Sequence, residues 1–221
     1  MKESTIRALG VVAIIGGLVN MVADFFIISQ PIPPGLSGLE VLSIMPLGDV
    51  RIGVALGLFA LTTWLLALPA LSAGFARASR IERGLATTSW SVFVVTGIVF
   101  HCTYWPMTIA IQAVSGTDTI TPVIDDFGVL LGFYQAVIVF ACLVLTIVMA
   151  FSIVRKRADF PWWLVLLNPV VTLPTVGNVV SLVPAPFGGF AAAANTTFFS
   201  TVFIAGLVFA PRPVQQPARA T

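Results

Sequence analysis

The stretch at 127–157, FGVLLGFYQAVIVFACLVLTIVMAFSIVRKR, decides the fold class. From Phe127 to Val154 no side chain is charged, and Arg155, Lys156 and Arg157 then stop the run. At ~1.5 Å per helical residue the apolar part covers the ~30 Å of a bilayer's hydrocarbon core. In lipid a helix satisfies its own backbone, so the run predicts a membrane-spanning helix.

Five further apolar runs lie on either side of it, at about 6–29, 50–73, 87–113, 161–183 and 189–210. The composition of the 221 residues agrees, with 58% hydrophobic and only 9% charged. A soluble domain carries about a quarter of its residues as charges, so a water-facing surface cannot be built here. The expectation is an all-α, polytopic membrane bundle of six transmembrane helices over residues 1–210, followed by a disordered tail at 211–221. Lys2 and Arg7 precede the first apolar run as in a signal peptide, but no small-x-small cleavage pattern follows, so this run reads as the first span.

Charge then sets the topology. Arg77, Arg80 and Arg83 separate spans two and three; Arg155, Lys156 and Arg157 separate four and five; Lys2, Arg7, Arg212 and Arg219 sit at the ends. The alternate loops, 30–49, 114–126 and 184–188, hold no Lys or Arg, while Glu40, Asp49, Asp118, Asp125 and Asp126 fall in the first two. The positive-inside rule places both termini in the cytoplasm and the protein in the cell membrane. A net charge of +2 gives no footprint for nucleic acid. Arg51 breaks the pattern, and either pairs with a neighbouring acid or snorkels to head groups.

The polar residues gather in the outer half. Asp24 is the only ionisable group inside the first span, and Asp49 and Arg51 at the start of the second are its expected neighbours. His101, Tyr104 and Trp105 follow in the third span, Tyr134 and Gln135 in the fourth, Asn178 and Ser181 in the fifth, and Asn195, Thr196 and Thr197 in the sixth. An ionisable group at membrane depth is costly and marks a candidate site. Polar side chains also serve as hydrogen-bond glue between helices, which is the plainer reading of the asparagines and threonines. An Asp24 buried without a cation keeps its proton and can give it; beside Arg51 it stays ionised. His101 reads equally as an acid–base group or a structural hydrogen-bonder.

Several features shape the bundle. Gly53-x-x-x-Gly57 and Gly128-x-x-x-Gly132 predict close packing of the second and fourth spans, and the same motifs offer an oligomer contact. Pro106 is expected to kink the third span beside His101, and Asn168-Pro169, Pro174 and Gly177-Asn178 interrupt the fifth. The stretch from Gln30 to Gly48 begins as a proline-rich turn, and Leu39 to Met45 then suits a lid along the interface. Asp125 and Asp126 read as caps of a helix N-terminus.

The missing motifs narrow the chemistry. A single histidine cannot assemble a multi-His metal or b-type haem site, and Cys102 and Cys142 lie in apolar runs that suit neither a disulfide nor a metal site. No phosphate loop, no H-E-x-x-H and no D-D-x-x-D run is present, which argues against ATP or prenyl diphosphate as substrate. A few acids among aromatic faces suit acid protonation of a lipophilic substrate without cofactor or metal, the rings stabilising a carbocation.

In length, helix count and scattered intramembrane acids the chain resembles the small membrane-integral terpene cyclases, namely the fungal meroterpenoid cyclases and the bacterial cyclases of indole sesquiterpenoid pathways. That resemblance implies an isomerase-type enzyme of terpenoid biosynthesis that protonates a prenyl chain. It implies Asp24 as the acid, tuned by Asp49 and Arg51 with His101 beside them, and a substrate path along Tyr104, Trp105, Tyr134, Gln135, Asn178 and Asn195. The segments from Phe160-Pro161-Trp162-Trp163 through Asn168-Pro169, and from Leu182 through Asn195, are similar to an uncharacterised family of small bacterial membrane proteins. The alternative expectation is a transporter or binding protein for a small lipophilic molecule.

Overall fold

The computed structural model describes residues 1–28, 36, 38–168 and 188–209, with the side chains of the last segment described from 196 onward. The regular elements among them are all helical. They are α1 (Glu3–Ile28), a 3-10 turn at Gly38–Ser43, α2 (Leu47–Thr63), a second 3-10 turn at Trp64–Ala67 leading into α3 (Leu68–Gly74), α4 (Arg80–Ala113), α5 (Ile120–Val154), α6 (Trp163–Leu166) and α7 (Gly188–Phe209). Among the described residues four stretches are long and apolar enough to cross a membrane: Glu3–Ile27, Leu47–Gly74, Arg80–Ala113 and Ile120–Val154. The run expected at 189–210 falls on α7. Most of the run expected at 161–183, with Asn178 and Ser181, lies outside the described residues, as does the tail at 211–221.

Local chemistry moves two helix starts outward from the apolar runs. Ser79 accepts from the Glu82 amide at 3.2 Å while the Glu82 carboxylate accepts from the Ser79 amide at 2.7 Å, a capping box that opens α4 ahead of the expected 87. α5 begins at Ile120, with Pro122 in its first turn, where a missing amide hydrogen costs nothing. Asp125 and Asp126 therefore sit exposed one turn further in, and the capping role expected of them does not hold. Pro106 lies inside α4 without ending it.

α1 explains how the bundle is assembled. Val11, Ile15, Leu18, Val22 and Phe25 form an exposed apolar stripe at helical spacing, while the opposite face holds Gly10, Ala13, Gly16, Gly17, Asn20, Ala23 and Asp24, all buried. Grease outside and small or polar groups inside is the arrangement of a helix solvated by lipid. The buried glycines admit the neighbours: a Cβ at Gly10 would overlap Val208, one at Gly17 would overlap Thr201, and one at Gly16 would overlap Thr63. Contacts with α7 descend in residue number as those of α1 rise, so the two helices run antiparallel. α2 likewise runs antiparallel to α1, with Gly16 against Thr63 and Gly53 against Ile27.

The stretch from Leu47 to Gly74 changes its winding ahead of a proline. Pro69 has no amide to return to Leu65, and the Trp64–Ala67 segment tightens into a 3-10 turn. The Trp64 carbonyl accepts the Trp90 indole N–H at 3.0 Å. Trp64, Trp90, Phe93 and Phe203 stack around that bond, with neighbouring ring centroids 5.3–6.4 Å apart. This aromatic layer is the core of one half of the bundle.

Among the described residues the basic side chains, apart from Arg51, gather at a single end. Arg77 pairs with Asp159, and Arg157 lies 3.7 Å from Glu82, tying the start of α4 to the end of α5. α5 stops in a Schellman cap, with the Arg157 amide on the Ser152 carbonyl at 2.8 Å and Lys156 at φ 56°. α6 packs Leu164 and Trp163 against Gly206, near the end of α7. At the opposite end Val41, Leu42 and Met45 are buried against Met107, Ile111 and Leu131, and Gln112 donates to the Leu42 and Met45 carbonyls at 3.1 and 2.7 Å. The stretch expected as a lid is thus a cap fastened to α4.

One packing expectation is corrected. Gly53 and Gly57 are buried in helix contacts, but among the described residues a Cβ at Gly128 or Gly132 would meet nothing within 4 Å. Among the described residues α2 packs on α1 and α4, and α5 packs chiefly on α4, so the two glycine motifs do not face each other.

Candidate functional site

At the level of Gly53, four helices bring polar groups into one buried node. Asp24 of α1 accepts on Oδ2 from the Thr197 hydroxyl of α7 at 2.9 Å and from Asn20 Nδ2 at 3.3 Å. Asn20 Nδ2 also donates to Thr197 Oγ1 at 3.1 Å. The other oxygen, Oδ1, faces His101 Nδ1 of α4 at 3.8 Å. His101 Nε2 lies 3.0 Å from the Gly53 carbonyl of α2. Asn20, Asp24, His101 and Thr197 are each less than 10% exposed.

Local sequence explains each placement. Asn20 and Asp24 are one helical turn apart, which puts them on the same face of α1. Gly53-x-x-x-Gly57 cuts a notch in α2: at Gly53 a Cβ would stand 2.9 Å from the Ala23 carbonyl oxygen, and at Gly57 it would overlap the His101 ring. The first glycine admits α1 and the second admits the imidazole. Without the second, the ring could not reach the Gly53 carbonyl.

The hydrogen-bond pattern fixes where a proton can sit. A carbonyl oxygen only accepts, so Nε2 carries a hydrogen, and Nδ1 is left to face Asp24. One proton then has two homes, on Oδ1 of the acid or on Nδ1 of the imidazole, and the pair is electrically neutral overall in either state. Oδ2 is engaged by two donors, which leaves Oδ1, among the described residues, as the oxygen open to a proton. At 3.8 Å the two atoms are outside hydrogen-bond reach, so direct transfer requires them to close by about 1 Å. Among the described residues no Lys or Arg pairs with Asp24.

Arg51 is elsewhere, which overturns the expected cluster of Asp24, Asp49 and Arg51. Val50, Gly53 and Gly57 face the bundle, and the same helical phase turns Arg51 outward, where its guanidinium lies 4.7 Å from the Trp105 ring centroid. A cation–π contact is therefore its partner, and it covers a Trp105 face expected to line the substrate path. Asp49 is half-buried in the first turn of α2 and forms no ion pair with Asp24 or Arg51. Tyr104 stays beside the node, its ring 6.5 Å from His101 and 5.8 Å from Phe100.

Tyr134 packs instead in the apolar cluster at the capped end, and Gln135 is exposed on α5, so neither joins the node. Asn178 and the side chain of Asn195 lie outside the described residues. Asp24 and His101 stand out in the sequence, whereas Asn20, Gly53 and Gly57 do not stand out as parts of the site, and the node holds Thr197 where Asn195 is the expected residue. The four-residue spacing of Asn20 and Asp24 was the available signal; the partners across helices had none.

The bundle belongs to a family of unknown function, DUF6796, which it matches over residues 1–211. No curated protein and no solved structure gives a significant match.

Proposed function

We propose that this family member is a six-span protein of the cell membrane with both termini cytoplasmic, and that its Asp24–His101 pair is the acid of a cofactor-independent terpene cyclase. The topology rests on the described basic residues, which apart from Arg51 gather at the end that also holds both α1's start and α7's finish; the positive-inside rule assigns that end to the cytoplasm. The node then lies toward the outer leaflet.

The observation that carries the chemistry is the approach of Asp24 Oδ1 to His101 Nδ1, with Nε2 committed to the Gly53 carbonyl. An acid kept dry and facing a single basic nitrogen can deliver a proton to the alkene or epoxide of a lipophilic prenylated substrate and recover it through the imidazole. Tyr104 and Phe100 offer ring faces to the carbocation that follows. Asp24→Asn keeps the size and both acceptor contacts of Oδ2 but has no proton to give, so turnover of a prenylated aromatic substrate falls by about 100-fold or more. The variant must still elute as a folded species in detergent. Unchanged turnover removes Asp24 as the acid.

A second reading, a transporter or binding protein for a small lipophilic molecule, draws on the glycine-lined contacts of α1, because bare helix faces leave few side chains to block sliding. Proteoliposomes that accumulate ligand unaltered favour this reading, and a converted product favours the enzyme.

A further inference from the structure

Among the described residues α3 and α4 leave an open groove of about 410 Å³ between them, a volume in the range of small-molecule sites. Leu68 and Pro69 of α3 and Val92 of α4 make its deeper end apolar. Nearer the α3–α4 connection it is lined by hydroxyls, from Ser72 on α3 and from Thr87, Thr88 and Ser91 on α4. Thr87 and Ser91 return their hydrogens to the Arg83 and Thr87 carbonyls at 3.0 and 2.9 Å. Ser72 and Thr88 donate to no protein group among the described residues. A hydroxyl facing hydrocarbon without a partner is unfavourable, so these two call for an acceptor from outside the chain.

Two arginines continue the α4 side of the groove. Arg80 and Gly84 precede Thr87 and Ser91 by two helical turns each, so the four share one face of the helix. Arg83, one turn before Thr87, donates to the Ala76 carbonyl at 3.1 Å and so stands over the α3–α4 connection. Arg77 and Arg157 at the same end are paired with Asp159 and Glu82, but Arg80 and Arg83 have no ion pair among the described residues. Gly84 leaves room beside them, since a Cβ there would meet nothing within 4 Å among the described residues.

Thr88 lies ~7.5 Å along the helix axis beyond Arg83, which compares with roughly 5–7.5 Å of headgroup layer on each side of a bilayer's hydrocarbon. Cations, hydroxyls and apolar side chains thus follow one another as phosphate, ester and acyl chain do in a phospholipid. A guanidinium fork matches phosphate oxygens in pairs, and two unpaired cations favour a headgroup with net negative charge. We propose that this groove binds one anionic phospholipid. Its phosphate sits on Arg80 and Arg83, its ester carbonyls accept from Ser72 and Thr88, and one acyl chain lies along Leu68, Pro69 and Val92. None of these residues belongs to the Asp24 node, so the lipid site stands whether or not Asp24 is the acid.

The test is native mass spectrometry of the purified full-length protein in detergent, titrated with phosphatidylglycerol or with phosphatidylcholine. One phosphatidylglycerol per chain is expected to bind at least about fivefold more tightly than phosphatidylcholine, and Arg80→Gln to weaken it about fivefold, the contribution of one cation near a charged headgroup. Gly84→Leu meets no described neighbour at its Cβ but fills the mouth of the groove, and is expected to weaken phosphatidylglycerol by about tenfold or more. Ser72→Ala combined with Thr88→Val is expected to weaken both lipids, because both carry the same esters. Lys156→Gln, exposed at the same end but on the α5–α6 connection outside the groove, keeps the wild-type affinity. Equal binding of the two lipids, equal losses in Lys156→Gln and Arg80→Gln, or unchanged binding in Gly84→Leu overturns the site.

Discussion

Two Gly-x-x-x-Gly motifs of equal spacing have opposite surroundings. Gly53 and Gly57 on α2 receive α1 and the His101 ring, whereas Gly128 and Gly132 on α5 are exposed and meet no neighbour among the described residues. The spacing of small residues defines a face of a helix, but the neighbour that fills it is chosen by what else lies on that face. On α2 the glycines share it with Val50 and Ala60, both buried. On α5 they share it with Gln135 and Val139, both exposed. One motif builds the buried node and the other leaves it alone.

Substitutions separate the two motifs. Gly57→Leu, which drives a side chain into the imidazole, should give the largest loss, about 3 kcal/mol of stability in mixed micelles. Gly132→Leu should stay within about 0.5 kcal/mol of wild type, as at an uncrowded surface. Equal losses at both glycines would erase the distinction. Thr197→Val, which strips one donor from Asp24 and one acceptor from Asn20, is expected to cost about 1–3 kcal/mol by the same unfolding assay. A neutral result there would mean that α7 does not support the acid.

Arg51→Ala should lose only its contact with Trp105, about 0.5–1 kcal/mol, and leave turnover unchanged. A collapse of turnover would return Arg51 to the site. The smallest effect is expected for Gln135→Leu, within about 0.5 kcal/mol of wild type, because the carboxamide is exposed and takes no part in the node.

The helical fold was legible because the apolar runs and the alternation of Lys and Arg are properties of single segments. Asp24 and His101 were legible for a similar reason, since an ionisable group in an apolar run stands out without knowledge of its neighbours. Their grouping was not. Asp24 and Arg51 are close in depth, and depth was all that topology supplied; helical phase turns one inward and the other outward. Thr197 reaches Asp24 across 173 positions of sequence, and nothing local distinguishes it from Thr196. Asp125 and Asp126 misled because an acidic pair ahead of an apolar run imitates a helix start, while the chain had already entered its helix at Ile120.

His101 is the only histidine, so a single ¹⁵N-histidine label reports on the node without assignment. The most direct measurement is ¹⁵N NMR of that imidazole in lipid nanodiscs, comparing wild type with Asp24→Asn. A proton shared with Asp24 requires hydrogen on Nε2 in every state and an Nδ1 resonance that shifts when Asp24 is changed. Hydrogen on Nδ1 alone, or an Nδ1 resonance indifferent to Asp24→Asn, would contradict the shared proton and the acid built on it.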